Sequence, residues 1–374
     1  MDPSELDRWH MQRALELAIQ GQGYVEPNPM VGCVIVRGAE IIGEGWHRRF
    51  GEAHAEVEAL EIAGRRAAGA TMYVTLEPCC HQGKTPPCSR AIVEAGVRRV
   101  VVAQRDPFPQ VAGRGIAELK AAGIEVEVGL MEAEARRLNA PYLKLLETGR
   151  PWVLAKWAMT LDGKTATRAG SSRWISNPQS RRIVHALRGR VDAILVGRRT
   201  AQRDDPLLCA RPPGARTALR VVADTRASLS CESQLVRTAR EAPVLVAVGA
   251  EAPQADRSRL AEAGCEVFVS QADTRAARLD DLLRELGRRR LTNVLVEGGG
   301  QLVGSLLDAG QIDEIHVFIA PKLVGGTSAA GPIAGEGIAE MSEALLLEDP
   351  QVEQVGSDIY VRGRLLRAKT NTAP

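Results

Sequence analysis

The apolar residues of the first 150 positions alternate between two spacings, one typical of amphipathic helices and one typical of strands. The helical spacing predicts helices that begin near Ser4 and near Cys88, and helices over residues 55–63, 116–122 and 132–146. Runs of β-branched residues predict strands over residues 31–36, 41–42, 71–76, 100–103 and 124–128. Because the two kinds of element alternate, this half is predicted to form a layered α/β domain.

A similar alternation continues after Gly149-Arg150-Pro151, the predicted boundary between two domains over residues 1–147 and 151–370. Strands are predicted over residues 152–159, 193–196, 219–223, 244–248, 267–269, 293–296 and 315–319. Helices are predicted after Ser176, near 279–286 and over 301–307, and the charged stretches 254–259 and 275–290 are predicted to be solvated helix faces. The second domain is therefore also predicted to be α/β.

Composition narrows the class of protein. The chain has 48 Lys and Arg against 46 Asp and Glu, which excludes a strongly basic nucleic-acid binder on bulk charge. No apolar run approaches the roughly 18 residues that a membrane-spanning helix needs. Three of the seven cysteines lie within ten positions, which is not typical of a secreted disulfide framework. We therefore expect a cytoplasmic protein with reduced thiols, and a metal site at the cysteine cluster.

The residues His54, Cys79 and Cys88 carry the clearest chemical pattern. One imidazole and two thiolates are good ligands for tetrahedral zinc, and they leave the fourth position for water. Glu56, two residues after the histidine, is placed to move protons without binding the metal. This arrangement predicts a zinc deaminase with Glu56 as its catalytic residue.

A structural zinc site is the alternative to a catalytic one. Such a site needs four protein ligands, and Cys80 or His81 could supply the fourth. The spacing of Glu56 and the position of Pro78 directly before Cys79 favour the catalytic interpretation, and they favour Cys79 over Cys80 as the ligand.

A strand predicted to end at Glu297 leads into Gly298-Gly299-Gly300 and then into a predicted helix. Strand, glycine turn and helix N-terminus together form a ready site for an anion, because glycine lets a ligand approach the free backbone N–H groups. The pattern is not the G-x-G-x-x-G fingerprint, and a tight turn without a ligand is the alternative.

Long segments of the first half resemble the deaminase half of the bifunctional riboflavin-biosynthesis deaminase/reductase family. They are residues 27–32, 43–47, 51–56, 75–88 and 111–115. Eight residues separate Cys79 from Cys88, where nucleoside and tRNA deaminases typically have two. The resemblance implies a cytidine-deaminase-like α/β/α fold and hydrolytic deamination of 2,5-diamino-6-ribosylamino-4(3H)-pyrimidinone 5′-phosphate. It also implies one zinc ion per chain, and substrate-binding residues Asn28, His47 and Lys84.

The second half resembles the reductase half of the same family over residues 161–165, 173–176, 187–188, 204–206, 296–300 and 320–323. This resemblance implies a dihydrofolate-reductase-like α/β fold and NADPH-dependent reduction of a ribosyl group to ribityl. It implies cofactor contacts at Ala158, Trp174, Thr200, Asp204, Thr225, Gly299, Gly300, Gln301, Leu302, Val303, Gly304 and Ser305. It implies substrate contacts at Ser172, Arg188, Leu208, Arg211 and Glu297.

Side-chain chemistry supports two of these roles, the binding of phosphate and the binding of ribose hydroxyls. Arg188 and Arg211 suit phosphate, because a guanidinium group binds phosphate through two hydrogen bonds, and Glu297 suits ribose hydroxyls. Surface ion pairs are the alternative for the arginines. No residue stands out as the proton donor in the reductase step.

Two other classes of function remain to be compared with this one. A nucleic-acid or nucleotide zinc deaminase with an accessory nucleotide-binding domain predicts short cysteine spacing and an aromatic-rich basic channel, whereas aromatic residues make up 3% of this chain. A non-catalytic zinc module predicts four protein ligands. We expect small phosphorylated pyrimidines as partners, and neither nucleic acid nor membrane; a homo-oligomer is one of the states that the sequence leaves open.

Overall fold

The structure is a computed structural model that describes residues 2–82 and 86–366. The chain divides into two compact units, Met1–Gly149 and Arg150–Pro374. Each unit has a β-sheet with helices on both faces. Among the described residues, none of the helices has the length and apolar character that crossing a bilayer requires.

Five strands form the sheet of the first unit, in the order β2-β1-β3-β4-β5. Their bounds are β1 (Gly32–Arg37), β2 (Glu40–Trp46), β3 (Thr71–Val74), β4 (Arg99–Val102) and β5 (Glu125–Val128). β1 pairs antiparallel with β2 and with β3, whereas β3, β4 and β5 are parallel. The predicted strands are therefore present.

Helices cover both faces of this sheet because residues along each strand alternate between them. The helices are α1 (Pro3–Ala18), α2 (Ala55–Ala63), α3 (Cys88–Glu94), α4 (Arg114–Ala121), α5 (Glu132–Leu138) and α6 (Ala140–Thr148). Cys33 and Ile35 pack with α2, α3 and α4, whereas Val34 and Val36 pack with α1 and α5. Short 3-10 helices follow α1 and α2 at Ile19–Gly21 and Gly64–Ala67.

The helix predicted over residues 132–146 is wrong in one respect, because it is two helices, α5 and α6. The break lies at Asn139, and Pro141 follows within the first turn of α6. Proline has no N–H to continue a helix and its ring clashes with the carbonyl group one turn earlier. The apolar spacing continues across the break, which is why the pattern alone suggests one helix.

Nine strands form the sheet of the second unit, in the order β10-β9-β8-β7-β11-β6-β12-β14-β13. They are β6 (Trp152–Thr160), β7 (Ala193–Gly197), β8 (Leu219–Ala223), β9 (Val244–Gly249), β10 (Glu266–Ser270), β11 (Asn293–Glu297), β12 (Glu314–Ala320), β13 (Leu347–Val355) and β14 (Asp358–Leu365). All pairings from β10 to β12 are parallel, and β14 joins β12 and β13 antiparallel.

Six helices flank this second sheet. They are α7 (Pro178–Arg188), α8 (Arg198–Asp204), α9 (Gln234–Arg237), α10 (Gln254–Glu262), α11 (Arg275–Arg288) and α12 (Gly300–Asp308), with a 3-10 turn at Met341–Glu343. The first four pack on one face and α11 and α12 on the other. Sequence patterning did not find the helices α8 and α9 or the strands β13 and β14. In α8 Ala201 is the one buried residue, and β13 is exposed along most of its length.

Candidate active sites

His54, Cys79 and Cys88 come together in the first unit, although 34 positions separate the first from the last. His54 is the N-cap of α2, Cys88 is the first residue of α3, and Cys79 lies in the segment after β3. The Nδ1 atom of His54 lies 3.5 Å from Sγ of Cys79 and 3.3 Å from Sγ of Cys88. One ligand atom from each residue fits within 4.8 Å of the other two. Three donors of this kind could hold one metal ion.

The carboxyl group of Glu56 lies in the first turn of α2 and is 3% exposed. Its Oε2 atom is buried and has no hydrogen-bond partner within the described residues. Burial raises the pKa of this carboxyl, because desolvation disfavours its charged form. The thiol of Cys79 shifts the other way, with its pKa lowered to about 4 by the neighbouring Cys88 sulfur and by His54. The two opposite shifts follow from the packing of an imidazole ring, two sulfur atoms and a carboxyl group into one buried cluster.

The alternative of a fourth protein ligand is not supported by the side chains next to Cys79. The thiol of Cys80 contacts the carbonyl oxygen of Gln110 at 3.6 Å, and the His81 ring lies 6.1 Å from the Phe108 ring. In residues 2–82 and 86–366, His54, Cys79 and Cys88 form the whole group of donors at this place. Cys79 is thus the member of the cysteine pair that faces the cluster.

Two glycines of β2 set the position of α2, and with it the position of His54 and Glu56. A Cβ atom on Gly43 would lie 2.3 Å from the carbonyl oxygen of Ala59, and one on Gly45 would lie 2.4 Å from that of Ala55. Because real Cβ atoms do not approach so closely, any other residue would push the helix away from the strand.

Glu77 is a positioning residue that sequence reasoning missed. Its buried carboxylate accepts hydrogen bonds from the backbone N–H groups of Asp106, Gly113 and Ile116 at 3.3, 3.0 and 3.2 Å. A Cβ atom on Gly115 would lie 2.0 Å from the carbonyl oxygen of Pro78. The loop before α4 is therefore held against the segment that carries Cys79.

Asn28 and His47, two of the three predicted substrate-binding residues of this unit, contact each other. His47 donates from Nδ1 to the carbonyl oxygen of Ala53 at 3.0 Å and accepts from the Asn28 amide at 3.3 Å. Burial lowers the pKa of His47, so the ring is neutral near pH 7. Asn139, which sequence reasoning also missed, bonds both backbone groups of Met30. The third predicted residue, Lys84, lies outside the described residues.

The second unit has a cleft of about 1410 Å³ at the carboxyl ends of its parallel strands. It opens between β7 and β11, where α8 leaves toward one face of the sheet and α12 toward the other. Such a reversal is where open α/β sheets bind nucleotide-like ligands. Fourteen predicted residues line the cleft: Ala158, Ser172, Trp174, Arg188, Thr200, Asp204, Leu208, Arg211, Thr225, Glu297, Gly299, Gly300, Gln301 and Leu302.

The glycine turn between β11 and α12 lies in this cleft. Gly298 and Gly299 have φ of 80° and 87°, a backbone conformation that favours glycine. A Cβ atom on Gly299 would lie 3.3 Å from the Thr200 hydroxyl, so the turn packs closely against α8.

Three of the predicted cofactor contacts lie on α12 outside the cleft lining. Val303 is fully buried in the core under α12, and Gly304 packs against the backbone of Ala334. The Ser305 hydroxyl bonds the carbonyl oxygen of Gln301 at 2.8 Å. These three residues follow the first turn of α12 and are not among the residues that line the cleft, so their contact with the cofactor stays a prediction.

Glu297 occupies the end of β11 and is 7% exposed. Its two oxygens accept from Nε and Nη2 of Arg188 at 2.5 and 2.9 Å, and Nζ of Lys156 lies 3.6 Å away. Burial alone would raise the pKa of this carboxyl, but the two cations outweigh it and lower the pKa to about 2. Burial lowers the pKa of Lys156.

This pairing bears on the substrate contact predicted for Arg188. Its remaining nitrogen, Nη1, donates to the carbonyl oxygen of Cys209 at 3.4 Å. Each of the three guanidinium nitrogens therefore has a protein acceptor, while one N–H on Nη1 and one on Nη2 have none among these contacts, so the phosphate contact stays a prediction. The alternative of an ion pair is correct in its kind but not in its place, because the pair with Glu297 is largely buried.

Glu297 should make the second unit sensitive to acid. Its pKa is lower in the folded chain than in the unfolded one, so its stabilising effect is complete above the unfolded pKa near 4.5. The effect should decline below about pH 5 and be lost as pH falls through about 2. Glu297→Gln should lower the free energy of unfolding by about 3 kcal/mol at pH 7, because it leaves two buried cations unpaired.

Urea unfolding followed by circular dichroism at pH 7, 5 and 3.5 would measure this difference. Glu262→Gln, on the exposed face of α10, is the matched control and should change stability by less than about 0.5 kcal/mol. A difference between wild type and Glu297→Gln that stays constant from pH 7 to pH 3.5 would contradict the assigned pKa.

The two sites define a class: a metal-dependent deaminase unit followed by a nucleotide-dependent reductase unit. Sequence models of two known protein families match the two units of the chain. The model of the cytidine and deoxycytidylate deaminase zinc-binding region matches residues 4–104, and that of the RibD C-terminal domain matches residues 151–361. The chain belongs to the RibD family, the bifunctional deaminases/reductases of riboflavin biosynthesis.

Relatives that match this chain over nearly their full length support this assignment. The riboflavin biosynthesis protein RibD of Actinobacillus pleuropneumoniae is 43% identical over 352 residues, which cover 94% of this chain and 93% of that protein. RibD of Escherichia coli is 40% identical, with 94% and 98% of the two chains covered. These matches span both units and favour the bifunctional enzyme over a nucleic-acid deaminase.

Solved structures agree with the fold of the whole chain. Acinetobacter baumannii RibD, form 1, gives a TM-score of 0.86 at 38% identity and covers 97% of this chain and 100% of that one. A diaminohydroxyphosphoribosylaminopyrimidine deaminase/5-amino-6-(5-phosphoribosylamino)uracil reductase from Thermotoga maritima gives 0.83 at 34% identity, with 97% and 99% covered. The predicted fold class, a cytidine-deaminase-like unit followed by an α/β reductase unit, is confirmed.

Proposed function

We propose that the first unit binds one zinc ion and deaminates 2,5-diamino-6-ribosylamino-4(3H)-pyrimidinone 5′-phosphate, and that the second unit reduces the ribosyl group of the product to ribityl with NADPH. The name of the Thermotoga maritima relative, with both reactions in one chain, supports this proposal. The observation that carries it is the convergence of His54, Cys79 and Cys88 beside the unpartnered oxygen of Glu56.

The donor set fits zinc. One imidazole nitrogen and two sulfurs are the ligands that zinc prefers, and a group of three is typical of catalytic rather than structural sites. A buried carboxylate oxygen without a hydrogen-bond partner in the protein, such as Oε2 of Glu56, lowers the stability of the fold unless a bound ligand supplies that partner. Bound zinc would supply a Lewis acid that lowers the pKa of water toward neutrality.

Glu56 would take a proton from the attacking water and return it to the substrate. Its raised pKa suits a group that must both accept and donate a proton near neutral pH. One proton of the water would pass through Glu56 to the ring nitrogen of the pyrimidine. The second would pass from the hydroxyl group formed on the ring carbon to the departing amine, so that ammonia leaves as a neutral molecule.

Asn28 and His47 would orient the pyrimidine in this unit. The neutral His47 ring fixes the Asn28 amide by accepting its N–H, which leaves the Asn28 carbonyl oxygen and second N–H for a base edge. Lys84 would contribute a positive charge to the substrate phosphate.

NADPH would supply the hydride in the second unit. The glycine turn at Gly299 and Gly300 lets a phosphate group approach the N-terminus of α12, which carries partial positive charge. Ala158, Trp174, Thr200, Asp204 and Thr225 line the same cleft and would contact the cofactor.

The substrate of the second unit would lie near Glu297, with Ser172, Leu208 and Arg211 around it. Arg188 would act by holding the Glu297 carboxylate in place for ribose hydroxyls. Arg211 is exposed, and its side chain would meet the phosphate.

The order of the two reactions gives a direct test. With the diaminopyrimidinone phosphate and no NADPH, the full chain should release one ammonia per substrate molecule. With NADPH added, oxidation at 340 nm should lag behind ammonia release and reach the same final amount. NADPH oxidation without ammonia release, or ammonia release from cytidine at a comparable rate, would contradict the proposed substrate.

A further inference from the structure

One end of the reductase cleft carries an excess of positive charge. It follows the carboxyl ends of β8, β9 and β10 to the first turn of α11, and we name it the basic arm. Among the described lining residues at this end, four arginines face one carboxylate: Arg198, Arg226, Arg275, Arg278 and Asp224.

Asp224, directly after β8, cannot serve as a hydroxyl acceptor for a ligand. It is 1% exposed, and its oxygens already accept from the backbone N–H of Leu229 at 2.7 Å and from the Ser228 hydroxyl at 3.1 Å. Nε of Arg198 lies 3.9 Å away. In dinucleotide-binding folds a carboxylate at such a strand end recognises the ribose 2′-hydroxyl of NADH, and an arginine there accommodates the 2′-phosphate of NADPH.

Two of the four guanidinium groups have no protein acceptor within residues 2–82 and 86–366. Arg278 donates to the carbonyl oxygens of Ala272 and Asp273 at 3.1 and 2.8 Å, and its Nη1 lies 3.8 Å from a carboxylate oxygen of Glu251. Arg198 donates to Gln202 at 3.2 Å. Arg226 and Arg275, in contrast, are exposed and form no hydrogen bond or ion pair through their side chains in this part of the chain. Arg275 also begins α11, a helix of 14 residues whose first N–H groups favour an anion.

We propose that Arg226 and Arg275 bind the 2′-phosphate of NADPH and so select this cofactor over NADH. The inference rests on the proposed reductase function. The strand order fits Arg226, because β8 lies two strands from β11 and its glycine turn, and Arg275 follows β10, two strands beyond β8. Two strand spacings are about 10 Å, within reach of an adenosine ribose whose pyrophosphate lies at the turn.

The substrate phosphate is the other anion that this chemistry could bind. It is less suitable, because Glu297, Leu208 and Arg211 lie around β11 and the segment after α8, whereas Arg226 and Arg275 follow β8 and β10. The experiment therefore measures both ligands.

Arg226→Ala and Arg275→Ala in the full chain should each raise KM for NADPH about tenfold and leave KM for NADH and for the pyrimidine substrate within about twofold. Calorimetric titration with 2′,5′-ADP should show the same tenfold loss of affinity, whereas 5′-AMP should bind all proteins equally. Arg237→Ala, on the exposed side of α9 and outside the cleft lining, is the matched control and should change nothing.

Unchanged NADPH kinetics and 2′,5′-ADP affinity in both variants would overturn the inference. A rise in KM for the pyrimidine substrate alone would also overturn it, since the arm would then bind the substrate phosphate. If the wild type oxidises neither nicotinamide cofactor, the proposed reductase function fails, and the 2′,5′-ADP titration still decides whether the arginines bind a 2′-phosphate.

Discussion

Glu56→Gln should reduce the rate of ammonia release at least about 10³-fold, because an amide cannot take a proton from water and return it to the substrate. Gln is close to Glu in size and fits the same buried position on α2, so the fold should be unchanged. Zinc content should stay at that of the wild type, since the carboxyl group is not among the three clustered donors. NADPH oxidation with the deaminated pyrimidine as substrate should proceed at the wild-type rate.

Glu61→Gln is the matched control, because Glu61 lies on the same helix and is exposed. It should leave ammonia release within about twofold of wild type. Metal analysis should accompany the kinetics of both variants. Unchanged ammonia release in a Glu56→Gln protein that keeps its zinc would contradict the proton-transfer role of Glu56. It would favour the alternative in which the first unit is a non-catalytic zinc module.

The metal cluster could be predicted from sequence because its chemistry is local. His54 and Glu56 lie two positions apart at a helix start, and Cys79 and Cys88 lie nine positions apart around one loop. Residue type and spacing are therefore enough to identify them. The sequence also favours Cys79 over Cys80, because Pro78 directly precedes Cys79, and in the structure the Cys80 thiol lies against the carbonyl oxygen of Gln110.

The residues that support the sites could not be predicted in the same way, because their partners are distant in sequence. Glu77 reaches backbone groups 29 to 39 positions away, and Asn139 reaches Met30 across 109 positions. Arg188 and Glu297 are also 109 positions apart. Sequence analysis assigned each of these two a ligand of its own, and only the folded sheet shows that they bind each other.

The strand β13 was not predicted from the sequence for a related physical reason. Pattern analysis finds a strand from alternating apolar and polar positions or from a short continuous apolar run. β13 lies at the edge of its sheet and is exposed almost throughout, so its residues follow no alternation of apolar and polar positions. The inner strands β7 and β11, buried on both faces, were found as continuous apolar runs.

Cys88→Ser should abolish both zinc binding and deamination and leave the reductase step intact. A serine hydroxyl stays protonated near neutral pH and is a poor zinc ligand, so one of three donors is lost. Zinc per chain should fall at least about tenfold after dialysis, and ammonia release should fall below detection. NADPH oxidation with the deaminated substrate should stay within about twofold of wild type, because its candidate residues all lie beyond Gly149, in the second compact unit.

Cys80→Ser is the control that makes this result specific, because it removes the adjacent thiol, which contacts Gln110 and not the cluster. It should keep its zinc and its deaminase activity. Retained zinc in Cys88→Ser together with lost zinc in Cys80→Ser would contradict the ligand assignment. Loss of both activities in a Cys88→Ser protein whose circular dichroism spectrum matches wild type would contradict the independence of the two sites. Because the two serine variants differ only in which sulfur they remove, any difference between them must come from the position of that sulfur.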